Sequence, residues 1–204
     1  MVRMGSSLES GINRGFGKIF MREVEIKAKI HDRELLLQAL QQQGVVLGES
    51  KIQHDVVFCK PGQKAYDPNS VWLRIRTENE SEVIFTAKGD TGRNLTSIEH
   101  EVEVNNAKEL EAILRLLGYG LFSDIVKTRN KAKYGRIEIC LDEVDGLGLF
   151  LEGEILTQNE SETETALSEL WNFFESLGIS RAEAITVGYD VLYKQVHSLK
   201  ELRI

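Results

Sequence analysis

The sequence is poor in the residues that mark several specialised protein classes. It has two prolines and 7% aromatic residues, which argues against a proline-rich linker and against a platform that stacks bases. Its two cysteines, Cys59 and Cys140, form no CxxC pair and no Cys/His cluster. A disulfide framework or structural zinc site is therefore not indicated, and a reducing cytoplasm is the expected setting. No apolar run approaches the roughly 18–20 residues that span a bilayer, and residues 1–20 lack the continuous apolar segment of a secretory signal. There is no GxxxxGKS or GxxxxGKT loop, which excludes a P-loop nucleotidase. A basic excess is missing too. The 25 Lys and Arg face 32 Asp and Glu, a net charge of −7, and this speaks against a general nucleic-acid or membrane-surface binder.

What remains is a chain of 204 residues, 42% apolar and 28% charged, able to bury a sizeable core. Residues 1–20 read as a disordered extension, residues 21–195 as one domain, and 196–204 as a C-terminal tail. From Met21 the period is two: Val24, Ile26 and Ala28 alternate with Glu23, Glu25 and Lys27, the pattern of a half-buried strand. Further strands are expected over 52–59, 71–76, 82–88, 98–104, 124–131, 136–142 and 149–156, with loops at 60–70 and 89–97. Three helices are signposted. Asp32 caps the first, whose stripe is Leu36, Leu37 and Leu40 and whose stop is Gly44. Asn106 with Glu109 opens the second, with Leu110, Ile113, Leu114 and Leu117 as its stripe and Gly118 as its end. Ser161 with Glu164 opens the third, which buries Leu167, Leu170, Trp171 and Phe174. Ser180 with Glu183 caps a last short turn. About eight strands and three helices suit one α+β domain.

The helices cover the apolar strand faces, and the opposite faces are charged. They carry Glu23, Glu25, Lys27, Arg74, Arg76, Lys88, Glu99, Glu101, Glu103, Lys127, Arg129, Arg136, Glu138, Asp142, Glu152 and Glu154. Two architectures fit this alternation. In one, an antiparallel sheet turns a mixed-charge face to water. In the other, the sheet curls into a barrel with helices outside, and the charges line a polar tunnel. Paired arginines in such a tunnel suit phosphate oxygens, and paired carboxylates suit Mg²⁺ or Mn²⁺. That combination is the chemistry of polyphosphates.

Glu23-x-Glu25-x-Lys27 resembles the ExExK signature of the CYTH family of triphosphate tunnel metalloenzymes. Leu73-Arg74-Ile75-Arg76, Thr86-x-Lys88-Gly89, Glu99-x-Glu101-x-Glu103, Lys127-x-Arg129 and Leu141-Asp142 follow in family order. Gly146-Leu147-Gly148-x-Phe150-x-Glu152-x-Glu154 and a closing Gly188-Tyr189 with Leu192 complete the resemblance, which runs from residue 21 to about 193. The resemblance implies a closed eight-stranded antiparallel barrel with helices packed outside. Glu23, Glu25, Asp142, Glu152 and Glu154 then resemble metal-binding carboxylates, with Glu101 as a further acidic member. Arg74, Arg76, Lys88, Lys127 and Arg129 resemble the triphosphate-binding cations. Lys27, with Glu25, resembles the catalytic pair beside the reacting phosphate. Ala87 departs from the family, where a bulkier residue often precedes the lysine, and this touches the base or ribose contacts.

The resemblance implies a nucleoside or inorganic triphosphate as substrate, Mg²⁺ or Mn²⁺ as cofactor, and no nucleic-acid or membrane partner; a homodimer is consistent with it. Segments around His54-Asp55 and Val144 to Gly148 look closest to the class IV adenylyl cyclase-like group, which converts ATP to cyclic AMP and pyrophosphate. Hydrolysis of thiamine triphosphate or inorganic triphosphate is the alternative, and a non-catalytic polyphosphate sensor is a third reading. Elsewhere His31, His54, His100 and His197 form no cluster. His100, on the apolar side of its strand, reads as a core residue, as do Trp72 and Trp171. Cys140 alternates onto the charged face and reads as filler rather than nucleophile.

Overall fold

Each segment in which apolar and charged residues alternate forms a strand in the computed structural model, which describes residues 22–63, 71–90 and 96–201. The strands are β1 (Arg22–Ile30), β2 (Ser50–Cys59), β3 (Val71–Glu78), β4 (Glu82–Asp90), β5 (Thr96–Val104), β6 (Gly120–Tyr134), β7 (Ile137–Val144), β8 (Gly148–Thr157) and β9 (Ala184–Ile185). The helices are α1 (Arg33–Gln42), α2 (Ala107–Leu116), α3 (Thr163–Ser176) and α4 (Tyr189–Glu201). The expected extension at 1–20 and parts of the loops at 60–70 and 89–97 lie outside the described residues.

All nine strands join one antiparallel sheet, in the order β5-β4-β3-β2-β6-β7-β8-β1-β9. The expected closed eight-stranded barrel needs correction. β1 pairs with β8 along its length, from Arg22↔Thr157 to Ile30↔Leu149. Among the described residues, its other edge meets β5 through Arg22↔Ile98, Glu23↔Ser97 and Val24↔Thr96. Beyond that, β9 takes the edge at Lys27 and Ala28. One strand edge can serve one partner at a time, so the curled sheet touches itself along a short seam and does not close into a continuous barrel.

The curl gives the sheet a convex apolar side and a concave charged side. On the convex side Val24, Ile26, Ile139, Leu141, Leu151 and Ile155 pack under Leu36 and Leu40 of α1 and Leu170 and Phe174 of α3. A second cluster joins Phe58, Leu73 and Ile75 to Leu114 of α2. Each such buried side chain contributes about 1.5–3 kcal/mol. Asp32 and Asn106 cap their helices as expected, accepting from the amides of Leu35 and Glu109. Gly44 and Gly118 adopt φ of 74° and 85°, the left-handed geometry that ends a helix. Gly153 of β8 lies against α3 so closely that a Cβ there would come within 2.7 Å of the Phe174 ring.

Several local expectations fail. A 3-10 turn at 160–162 precedes α3, and no side chain caps either element, so the Ser161 cap is absent. His100 is exposed and not part of the core. Arg136 precedes β7 and is exposed, donating from Nε to Glu169 of α3 at 2.8 Å, outside the charged concavity. Trp72 shares the face of Arg74 and Arg76, half-buried against Phe122 at a ring separation of 4.7 Å. Helix α4 was not signalled, and it runs through most of the segment read as a tail. Its Tyr189, Leu192, Tyr193 and Val196 pack on Ile125, Val144 and Phe150. Those three residues are two positions from Lys127, Asp142 and Glu152, so α4 covers an apolar end of the concave face.

Candidate active site

Period two brings Lys27, Lys127, Arg129, Asp142 and Glu152 onto one face, and the curl then withdraws that face from water. Asp142 is 0% exposed, Glu152 and Lys127 are 3% exposed and Lys27 6%. A sheet with its charged face in bulk water is thereby ruled out for these residues. Charges so placed must be paired, and the pairings divide the concavity into three groups.

The first group is acidic. Glu23 and Glu25 of β1 and Glu154 of β8 each place a carboxylate oxygen within 4.8 Å of the others. Glu25 and Glu154 are direct register partners. Burial and the neighbouring carboxylates Glu23, Glu152 and Glu25 push Glu154 well above its ordinary range. Burial also raises Glu23, to about 7, with Glu99 and Glu25 adding to the effect and Lys88 opposing it. Lys88 bridges this group to β5, lying 3.4 Å from Glu23 and 2.5 Å from Glu99.

The second group is a chain of alternating sign. Lys27 Nζ lies 2.8 Å from Glu25 and 3.0 Å from Glu152. Burial alone would lower its pKa, but Glu152 and Glu25 hold it above the ordinary lysine value. Arg129 grips Asp142 with Nε at 2.6 Å and with Nη2, and Nη2 also reaches Glu152. Lys127 lies 3.3 Å from Asp142 and 3.8 Å from Asp55. Burial and the neighbouring Arg129 lower Lys127 to about 8.

The third group lies on β2 to β5. Arg76 donates Nε and Nη2 to the two oxygens of Asp55, each at 2.7 Å. Arg74 donates to Thr86 at 3.2 Å and to Glu101 at 3.3 Å, and its buried Nε has no partner among the described residues.

The structure thus gathers all five expected triphosphate-binding cations, Arg74, Arg76, Lys88, Lys127 and Arg129, on one face. It separates the five expected metal carboxylates. Glu23, Glu25 and Glu154 converge, whereas Asp142 and Glu152 are held by Lys27, Lys127 and Arg129. A second trio, Glu138, Cys140 and Glu154, also lies within ligand reach. Burial pushes the Cys140 thiol up to about 12, which disfavours the thiolate a metal would need. Asp55, Thr86 and Tyr189 were absent from the expected site. Asp55 could have been found from its two-residue offset from Gln53 and Val57, which places it on the concave face.

Residues 21–189 match the CYTH domain. The chain belongs to the CYTH family. It is 31% identical over 171 residues to the Methanocaldococcus jannaschii protein named "Putative adenylate cyclase MJ0240", covering 83% of this chain and 97% of that one. It is 26% identical over 184 residues to "Adenylate cyclase CyaB" of Aeromonas hydrophila, covering 89% and 94%. Among solved structures, PH1819 from Pyrococcus horikoshii OT3 superposes with a TM-score of 0.72 at 26% identity, over 85% of this chain and 99% of that one. Among the described residues of this CYTH protein, no helix is long and apolar enough to cross a membrane.

Proposed function

We propose that this CYTH protein is a metal-dependent, class IV adenylyl cyclase-like enzyme that converts ATP to cyclic AMP and pyrophosphate. The observation that carries the reading is the adjacency, on one buried face, of three converging carboxylates and a row of five cations. A triphosphate chain presents several negative oxygens in line, and Arg74, Arg76, Lys88, Lys127 and Arg129 supply donors along that line. Without ligand, these cations are neutralised by Glu101, Asp55, Glu23, Glu99 and Asp142. Phosphate oxygens would take over those contacts.

Glu23, Glu25 and Glu154 offer only oxygen donors, and burial opposes the charge of Glu23 and Glu154, so a hard divalent cation fits the trio. Mg²⁺ or Mn²⁺ held there would draw charge from the phosphoryl oxygens it meets. Lys27 stands where this trio meets the cation row, bonded to Glu25 on one side and Glu152 on the other. Its ammonium, kept charged by those two carboxylates, is placed to hold the reacting phosphate. In cyclisation the ribose 3′-hydroxyl attacks the α-phosphorus in line and pyrophosphate leaves. The buried cations stabilise the negative charge spread over the phosphoryl oxygens.

The cyclase names of the two relatives favour cyclisation over hydrolysis. The test is product analysis after incubation with Mg²⁺ or Mn²⁺ and, separately, ATP, thiamine triphosphate or inorganic triphosphate. Cyclic AMP with pyrophosphate supports the proposal. Orthophosphate release without cyclic AMP overturns it in favour of a triphosphatase, and metal-independent triphosphate binding without turnover in favour of a sensor.

A further inference from the structure

Tyr189, the first residue of α4, enters the concave face at its apolar end. Its ring centroid lies 4.5 Å from Lys27 Nζ and 5.0 Å from Lys127 Nζ, and its edge meets the Phe150 ring at 5.0 Å. Two ammonium groups from strands on either side of β8 and β7 therefore converge on one aromatic ring. The residue is 9% exposed, yet among the described residues its buried hydroxyl has no hydrogen-bond partner. Burial raises the pKa of that hydroxyl well above the ordinary tyrosine value, and so do Glu152 and Asp142, while Arg129 acts the other way. The hydroxyl is therefore a protonated donor. A buried donor without an acceptor calls for an explanation, and a phosphoryl oxygen that met the two nearby ammonium groups would supply one.

We propose that Tyr189 is a substrate-binding residue whose hydroxyl donates a hydrogen bond to a phosphoryl oxygen of the triphosphate, at the place where Lys27 and Lys127 converge. The proposal rests on reading the concave face as a triphosphate site and adds to it a donor supplied by α4. Helix α4 is then part of the substrate site as well as a cover for its end.

Tyr189→Phe keeps the ring beside the two lysines and removes the oxygen. Calorimetric titration with inorganic tripolyphosphate, on the wild type and the variant, reads the contact directly. The expected result is a loss of affinity of roughly tenfold or more, the range for a hydrogen bond to a charged acceptor. The thermal midpoint without ligand should stay level or rise, because an unsatisfied buried group has been removed. Equal affinity in both proteins overturns the assignment of Tyr189 and leaves the triphosphate site standing. Absence of tripolyphosphate binding by the wild type overturns both.

Discussion

Asp55→Asn removes one negative charge from the concave face while nearly preserving side-chain shape. Asp55 is 7% exposed and accepts both fork bonds of Arg76 at 2.7 Å, with Lys127 at 3.8 Å. Burial alone would raise its pKa, but Arg76 and Lys127 hold the carboxyl well below the usual carboxylate range. Asparagine leaves Arg76 buried, charged and facing an amide that can match only half of the fork. Breaking a buried pair in this way costs about 3–5 kcal/mol. At about 2–4 °C per kcal/mol for a chain of this size, the midpoint without ligand should fall by about 6–20 °C. The depressed pKa means that Asp55 contributes stability above about pH 3.9 and loses it as the pH falls toward the folded-state value. The gap between wild type and variant should therefore narrow in acid. Tripolyphosphate should partly restore the variant, because the ligand supplies the missing anion and no longer competes with a carboxylate for Arg76. Melting curves with and without tripolyphosphate check both points. An unchanged midpoint without ligand, or a ligand-induced gain no larger than in the wild type, would refute the reasoning.

Glu25→Gln removes one of the three converging carboxylates and a partner of Lys27. Metal-dependent turnover should fall by roughly a hundredfold or more with the fold retained by circular dichroism, and full activity would mislocate the metal site. Lys127, lowered to about 8, loses its charge in the folded protein as the pH rises through that value. Tripolyphosphate affinity, followed by calorimetry, should therefore weaken between about pH 7 and pH 9. In Lys127→Arg, whose guanidinium stays charged, that weakening should be much smaller, and an identical profile would count against Lys127 as a phosphate ligand.

The parts of the molecule legible in the sequence are those decided locally. Strand β1 announces itself because Val24, Ile26 and Ala28 face the helices while Glu23, Glu25 and Lys27 face the opposite way. The caps at Asp32 and Asn106 need only the next three residues. Features decided by distant partners were hidden. Asp55 lies beside the apolar run Val56 to Phe58, and its partner Arg76 is 21 positions away. Helix α4 has its apolar partners on three other strands, at Ile125, Val144 and Phe150. The division of the five carboxylates was hidden too, because spacing cannot say which carboxylate a cation will claim, and Arg129 claims both Asp142 and Glu152. The closed barrel failed for a similar reason. Nothing in β1 tells that Ala184 and Ile185 will occupy part of its outer edge.

Gly153 stands between Glu152 and Glu154 but points the other way, into α3, where a methyl group would press within 2.7 Å of Phe174 and 3.1 Å of Leu170. The wall at that point is one backbone thick. Bulk added on the helix side would therefore be transmitted to the acidic side, shifting two carboxylates that no change at the surface would seem to touch. Directed evolution of this fold for new triphosphates would have reason to randomise Leu170 and Phe174, residues a ligand never meets, alongside those that line its path.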